Sequence, residues 1–203
     1  WAEVMSRGTR HVMIRADVTK ERQVDRLVTQ TTKLLGPPDI AVMNATPDQP
    51  QKPIEKYDWD FHQQMLDFFV KSPFLLTRAM LPRMKKKKWG RIINIGSEVF
   101  RRGVPNFSPY VAAKGAQAGW TRSMATELAP WHITVNMVSP GWIPVERHDK
   151  EPKSLKDGYE AMIPMKRWGV PGDLGGIVAF LASQQAGFIT GQDVAVNGGM
   201  TVG

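Results

Sequence analysis

Three side chains in the middle of the sequence could together hold a carbonyl oxygen and move a proton. Tyr110 and Lys114 are four residues apart, and Ser97 lies upstream of them. If residues 107–129 form a helix, Tyr110 and Lys114 share one face, because residues four apart are separated by about 6 Å along a helix axis. A phenol is a poor acid near neutral pH, but a neighbouring ammonium stabilises the phenolate. The pair is therefore suited to exchanging a proton.

Ser97 ends a different predicted element. Residues 91–97 form a β-branched run that ends in Gly96 and Ser97, which is typical of a buried strand. In open parallel sheets, ligands bind outside the carboxyl ends of the strands. We therefore expect Ser97 to face a cleft, where its hydroxyl could hold a substrate oxygen as charge develops on it.

The rest of the sequence alternates between predicted strands and helices. Strands are predicted at 11–16, 39–43, 133–138 and 193–196, and helices at 21–35, 59–87 and 173–183, the second with bends near Pro73 and Pro82. This alternation predicts an α/β fold with a doubly wound parallel sheet, Rossmann-like, in three α/β/α layers. Residues 142–168 are predicted to be irregular. They could form a substrate lid, or their aromatic and methionine side chains could simply close a core.

Composition restricts the function classes. The chain has 203 residues, of which 42% are hydrophobic and 23% charged, and it contains no cysteine. One domain is expected, disulfide and thiol chemistry are excluded, and a cytoplasmic location is the default. No apolar stretch approaches the roughly 20 residues that span a bilayer, so no membrane partner is predicted. The four histidines lie far apart without metal-ligand spacing, so no metal site is predicted either.

The net charge of +8 raises the question of a nucleic-acid partner. Its sharpest cluster, residues 85–88, consists of four lysines at the end of the predicted long helix, where cations complement the helix dipole. No nucleic-acid motif accompanies the cluster, so no nucleic-acid partner is predicted. The basic excess could help to attract an anionic cofactor or an acyl-carrier partner.

Several motifs occur in an order that resembles the classical short-chain dehydrogenase/reductase family, over essentially the whole chain. The matching segments are residues 17–18, 44–45, 94–97, 110–114, 136–141, 164–171, 189–192 and 198–199. The resemblance implies an oxidoreductase that uses NAD or NADP to interconvert a small-molecule ketone, such as a 3-oxoacyl or ring ketone, and a secondary alcohol. Ser97 would orient the substrate oxygen, Tyr110 would transfer its proton, and Lys114 would assist Tyr110 and bind the nicotinamide ribose.

The resemblance also implies cofactor-binding residues outside the central triad. Asp17 and Val18 would contact the adenine, although Asp17 could instead begin the helix at 21–35 with Thr19 as its cap. Asn44 and Ala45 would let the backbone approach the ribose, although an asparagine there could equally form a turn.

A third group of residues follows the predicted strand at 133–138. Pro140 and Gly141 would lie under the nicotinamide, and Ile143 would offer its backbone to the carboxamide. Asn136 is interpreted as a structural residue that ties strands together. The sequence does not distinguish NAD from NADP.

Three departures from the family keep other hypotheses open. Phe69 stands where an asparagine holds a relay water, Thr46 replaces a glycine, and Val145 replaces a threonine near the carboxamide. The glycine-rich phosphate turn and the first strands are also absent. We expect that further sequence precedes Trp1, and that residues 1–7 are the last turns of a helix that stops at Gly8. A catalytically silent scaffold subunit is the alternative, with dehydration or epimerisation as a weaker one. A homotetramer is expected, with a homodimer next.

Overall fold

The computed structural model describes residues 8–202, which form a four-stranded sheet flanked by helices. The helix predicted at residues 1–7 lies outside the described residues. In chain order, the helices are α1 (Glu21–Leu35), α2 (Trp59–Leu66), α3 (Ser72–Lys87), α4 (Val99–Arg102), α5 (Ser108–Leu128), α6 (Lys153–Met162) and α7 (Pro171–Ala182). The strands are β1 (Ile40–Met43), β2 (Gly90–Ile95), β3 (Ile133–Pro140) and β4 (Asp193–Val196).

All four strands run parallel, in the order β1-β2-β3-β4. Ile93 in β2 lies opposite Val42 in β1 and Asn136 in β3. Because the strands are parallel, the segments that follow them emerge at one edge of the sheet. This edge therefore collects the residues after Met43, after Ile95 and after Pro140.

Helices cover both faces of the sheet, which confirms the predicted three-layer α/β/α arrangement. On one face, Ile92, Ile133 and Val135 pack against side chains of α3 and α5. On the other face, Ile93 and Val138 pack against α7. The neighbours Ile92 and Ile93 serve opposite cores because successive strand residues point to opposite faces.

The prediction of a strand at residues 11–16 is wrong. The segment is extended but belongs to no strand, and it lies along α1, where Arg10 donates to the carbonyl of Leu34 and Arg26 donates to the carbonyl of Arg15. The β-branched residues alone do not make a strand, because a strand needs a neighbour for its ladder and none of the four strands pairs with this segment.

The strand predicted at residues 39–43 forms, but it is not buried throughout. Ala41 and Met43 enter the core below α3, whereas Ile40 and Val42 are 43% and 44% exposed on the opposite face. Within the described residues β1 pairs only with β2, so it is an edge strand with one face uncovered.

The helix predicted at residues 59–87 is helical over its full length, but its middle is a π-helical turn at Asp67–Lys71. This turn ends two residues before Pro73, which lies in the first turn of α3. Because proline has no backbone N–H to continue an α-helical pattern, a local change of hydrogen bonding at this point is expected. The π-helical turn places Phe69 in the interior.

Residues 142–168 are more regular than predicted, because they contain the ten-residue helix α6. Gly158 lies inside this helix and Pro152 is its N-cap residue. Because glycine and proline usually indicate loops, the sequence did not predict the helix.

Candidate active site

Helix α5 positions Tyr110 and Lys114. It begins at Ser108 with Pro109 in its first turn, where the missing N–H costs little. Tyr110 is partly buried between the rings of Phe69 and Phe107, with centroid separations of 5.3 and 4.8 Å. One turn later Lys114 is buried, and its Nζ lies 5.6 Å from the centroid of the Tyr110 ring. The predicted pair is therefore brought together.

The carboxyl end of β2 meets this pair. Lys114 Nζ donates to the carbonyl oxygen of Ile95 at 2.6 Å, and Ser97 follows Ile95 by two residues. Ser97 is nearly buried, and its Oγ accepts a hydrogen bond from the N–H of Val99 at 3.4 Å. Lys114 and Ser97 thus lie at the same end of β2.

Gly96 allows the strand to leave the sheet between Ile95 and Ser97. A Cβ at this position would lie 2.2 Å from Cε of Met137 and 2.5 Å from Oγ of Ser139. Both neighbours are buried in β3, so a larger residue would push the end of β2 away from β3. The glycine is therefore required by close packing, and it fixes where Ser97 sits.

The interior around Lys114 contains the unexpected Phe69. The ring centroid of Phe69 is 3.7 Å from Lys114 Nζ, and Phe69 is 2% exposed. The amide oxygen of Gln117 accepts a further hydrogen bond from Nζ at 3.1 Å. Burial lowers the pKa of Lys114 well below the ordinary lysine value.

Three of the four residues predicted for the adenine and ribose line a cavity of about 280 Å³, which Asp17 does not line. Val18, Asn44 and Ala45 form its wall together with Phe69 and Gln117. Asn44 and Ala45 are exposed where the chain leaves β1. A polar amide beside an apolar wall fits the ribose and adenine of a dinucleotide, and the proximity of Gln117 connects this cavity to the surroundings of Lys114.

Asp17 lies in a turn that its own side chain organises. Its carboxylate accepts hydrogen bonds from the N–H and the hydroxyl of Thr19, at 2.9 and 2.7 Å, and these bonds lower the pKa of Asp17. The alternative in which Thr19 caps α1 is wrong, because the N-cap residue is Lys20 and the Thr19 hydroxyl donates to Asp17. The carboxylate is exposed, so contact with a ligand stays a prediction.

Gly141 and Ile143 line a second cavity of about 410 Å³, which follows Pro140 at the end of β3. The cavity is bounded on the other side by the segment after β4, including Asn197 and Gly198. A Cβ on Gly141 would lie 2.8 Å from the hydroxyl of Tyr159. The side chain that comes closest to Gly141 therefore belongs to α6.

Sequence reasoning missed a buried contact that joins this helix to the segment after Ser97. Glu98 is 2% exposed, and its Oε1 accepts hydrogen bonds from the Tyr159 hydroxyl and from Arg102, each at 2.7 Å. The Tyr159 hydroxyl also accepts from the N–H of Trp142 at 2.7 Å. We call the contact of Glu98 with Tyr159 the Glu98–Tyr159 latch. In the sequence, the one indication of this contact was a glutamate that directly follows the end of a predicted buried strand.

The latch lies within an aromatic group. The rings of Tyr159 and Trp168 stack with centroids 5.4 Å apart, and Trp142 meets both rings edge-on. Aromatic pairs at such separations and angles are favourable beyond the area they bury. The segment at residues 142–168 is therefore joined, through α6, to the ends of β2 and β3.

The remaining predicted residues have local roles. Asn136 donates to the carbonyl of Ile189 at 2.8 Å and accepts from the N–H of Gln192 at 3.0 Å, so it ties β3 to the segment before β4, as expected. The N–H of Val145 donates to His148 Nδ1. Thr46 accepts a hydrogen bond from the amide of Gln49 in the loop after β1.

Two kinds of feature are absent from the part of the chain that the structure describes. No group of three or more histidine, cysteine, aspartate or glutamate side chains there could hold a metal ion. None of the described helices combines the length and the apolar character needed to cross a bilayer.

Comparison with known proteins extends the resemblance over the whole chain. A family model described as enoyl-(acyl carrier protein) reductase matches residues 1–201. The 3-oxoacyl-(acyl-carrier-protein) reductase FabG of Staphylococcus epidermidis is 36% identical over 200 residues, which cover 98% of this chain and 81% of the relative. The corresponding reductase of Rickettsia bellii is 39% identical over 184 residues, 91% of this chain and 74% of the relative.

A solved structure agrees with the fold. A crystal structure of a Sinorhizobium meliloti 1021 protein, assigned as a short-chain alcohol dehydrogenase, superposes with a TM-score of 0.91 and 29% sequence identity. The match covers 98% of this chain and 79% of that protein.

Proposed function

The chain belongs to the short-chain dehydrogenase/reductase family, and from this premise we propose that it interconverts a ketone and a secondary alcohol through Ser97, Tyr110 and Lys114. Members of this family are NAD(P)-dependent oxidoreductases, so the enzyme class follows from membership. The relatives named as 3-oxoacyl reductases support a ketone substrate, with a 3-oxoacyl chain as the first candidate and a ring ketone as the second.

One observation carries the proposal. A buried lysine amine lies 5.6 Å from the Tyr110 ring and is bonded to the last carbonyl of β2, two residues before Ser97. A lysine with a purely structural role is not expected at such a position, because burying an ammonium away from water costs free energy. Placing a cation beside a phenol at a ligand-binding sheet edge is what proton transfer requires.

Ser97, Tyr110 and Lys114 contribute differently to the proposed proton transfer. The Ser97 hydroxyl donates to the substrate oxygen and holds it beside the Tyr110 hydroxyl. In the reductive direction Tyr110 gives its proton to this oxygen, and in the oxidative direction it takes the proton from the alcohol. The positive charge of Lys114 stabilises the phenolate that remains on Tyr110.

The residues that would hold the cofactor lie along the same edge. Asn44, Ala45, Val18 and Asp17 would contact its adenosine half, and Pro140, Gly141 and Ile143 its nicotinamide half. Lys114 would contact the nicotinamide ribose together with Tyr110. When bound, NAD or NADP supplies or accepts the hydride, whereas the protein supplies orientation and electrostatics.

Replacing Tyr110 with phenylalanine tests the proposal. Loss of the proton donor is expected to lower kcat by about 10²- to 10⁴-fold with a 3-oxoacyl substrate, while titration by nicotinamide fluorescence still shows cofactor binding. The matched control is Tyr57→Phe, because Tyr57 lies on the loop before α2 and its hydroxyl bonds the backbone of Pro50, Lys52 and Asn106. Undiminished turnover by Tyr110→Phe would contradict the assigned role.

The same titration addresses the alternative of a catalytically silent scaffold subunit. The alternative is motivated by Phe69, which cannot relay a proton, and by Val145, which stands where the family has a threonine near the carboxamide. If the folded full-length protein binds neither NAD nor NADP, the scaffold hypothesis is favoured.

The assembly and location of the protein are also proposals. A homotetramer, or failing that a homodimer, would form through the two long helical segments α2–α3 and α5. In support, Trp59 and Phe74 on the first of these segments are 68% and 46% exposed. A cytoplasmic location stays a prediction from the sequence.

A further inference from the structure

Within the described residues, the amine of Lys114 has three close partners and almost no contact with water. Lys114 is 2% exposed. Its Nζ donates to the carbonyl of Ile95 at 2.6 Å and to Oε1 of Gln117 at 3.1 Å, and it faces the ring of Phe69 at 3.7 Å from the centroid. An ammonium has three N–H donors. A carbonyl, an amide and an aromatic face therefore take the positions that water would otherwise fill.

None of these three partners is charged. On the helix of Lys114 itself, the titratable group that faces it is Tyr110. The π-helical turn carries Asp67 and Lys71, whose charged groups pair with each other at 3.4 Å.

The segment after β2 does not supply a counter-ion either. Its Glu98 is paired with Arg102. Burial is the cause of the lowered pKa of Lys114. An ammonium at this position is therefore stabilised by neutral dipoles and by the negative face of a ring.

We propose that Gln117 and Phe69 are positioning residues, which together with the Ile95 carbonyl form a dry seat that holds Lys114 as an ammonium beside Tyr110. The seat is defined by the contacts of Nζ with these three groups. Its catalytic meaning rests on the proposed function of Tyr110 and Lys114. Where the family resemblance expects an asparagine and a relay water, this chain has an aromatic face and an amide from the helix of the lysine itself.

The position of Gln117 is set by the fold around it. Gln117 lies three residues after Lys114, so the two side chains are neighbours on one helix face. Its backbone carbonyl accepts from the hydroxyl of Thr121 at 2.8 Å, and that hydroxyl accepts from the amide of Asn94 in β2 at 2.9 Å. These bonds hold this face of α5 against β2, which also supplies the Ile95 carbonyl.

The proposal predicts how the titration of Lys114 responds to each member of the seat. In Gln117→Glu the new carboxylate faces Nζ, so the pKa of Lys114 is expected to rise by about 1 to 3 pH units. In Gln117→Leu the acceptor is lost, and in Phe69→Leu the aromatic face is lost, so the ammonium is less stabilised and the pKa falls in both.

NMR of the lysine side chains in the full chain without cofactor measures this pKa directly. The Lys114 signal is identified by its loss in Lys114→Met. Gln64→Glu is the matched control, because it makes the same charge change on an exposed position of α2 and is expected to leave the titration unmoved. Phe69→Leu keeps the test decisive if either Gln117 variant fails to fold.

Two outcomes overturn the seat: a Lys114 amine that is already neutral at neutral pH in the unmodified protein, or the same pKa in the folded seat variants as in that protein. In active enzyme, the pH dependence of kcat/KM is expected to move in the same direction as the NMR titration, which a purely structural role would not produce. The experiments distinguish a failure of the proposed function from a failure of the seat. Full turnover by Tyr110→Phe overturns the catalytic role but not the seat, whereas an unmoved Lys114 titration overturns the seat but not the role of Tyr110.

Discussion

The Glu98–Tyr159 latch is expected to contribute measurably to stability, and Tyr159→Phe removes its hydroxyl without removing the ring. The substitution takes one of two hydrogen bonds from the carboxylate of Glu98, which is 2% exposed, and it takes the acceptor from the N–H of Trp142. A hydrogen bond to a charged group contributes about 1.5–3 kcal/mol, and an unpaired buried group costs about 1–3 kcal/mol. Since the N–H of Trp142 is only partly buried, the expected loss is about 3 kcal/mol, or roughly 6–12 °C in Tm for a chain of this size.

Urea unfolding of the two proteins measures this difference. Tyr57→Phe is again the control, because its hydroxyl bonds neutral backbone groups at 2.7 to 3.1 Å and its loss is expected to cost about 1 kcal/mol or less. Equal losses in the two variants would show that the contact with Glu98 is not special, and would refute the reasoning.

The latch also predicts a difference at alkaline pH. Burial raises the pKa of Tyr159 well above its ordinary value, and the hydrogen bond to Glu98 raises it further. Above about pH 10 the phenol ionises in the unfolded chain but not in the folded protein, so Tyr159 makes stability fall by about 1.4 kcal/mol per pH unit. Tyr159→Phe lacks this dependence, and its stability deficit should shrink as the pH rises. A deficit independent of pH would contradict the raised pKa of Tyr159.

Two predictions concern other parts of the molecule. Asn136→Ala leaves the carbonyl of Ile189 and the N–H of Gln192 without their partner beside a fully buried position, so a loss of about 2–4 kcal/mol is expected in urea unfolding. Asn197→Ala, at a more exposed site, is the control. An equally small loss of stability in the two variants would count against the role of Asn136 in joining β3 to the segment before β4. Light scattering is expected to give the mass of a tetramer, and Phe74→Asp to reduce it by placing a charge on the exposed face of α3. A monomeric mass for the unmodified protein would exclude this assembly.

Much of the fold and part of the site could be predicted from the sequence, because the relevant signals are local. Hydrophobic periodicity and β-branched runs located β2, β3 and β4, α1, α5 and α7. The four-residue spacing of Tyr110 and Lys114 placed both on one helix face, and the end of a buried strand located Ser97. These features depend on backbone geometry that residues impose on their close neighbours.

Tertiary structure decided what local pattern could not. Residues 11–16 have strand-forming side chains but no neighbouring strand, so pairing and not propensity determined their conformation. Phe69 could be recognised as a departure from the family pattern, but only packing placed its ring against Lys114. The contact of Glu98 with Tyr159 joins residues 61 positions apart, and the seat of Lys114 combines groups from two helical segments and a strand. Such contacts depend on how the elements pack in three dimensions, and no spacing along the chain encodes them.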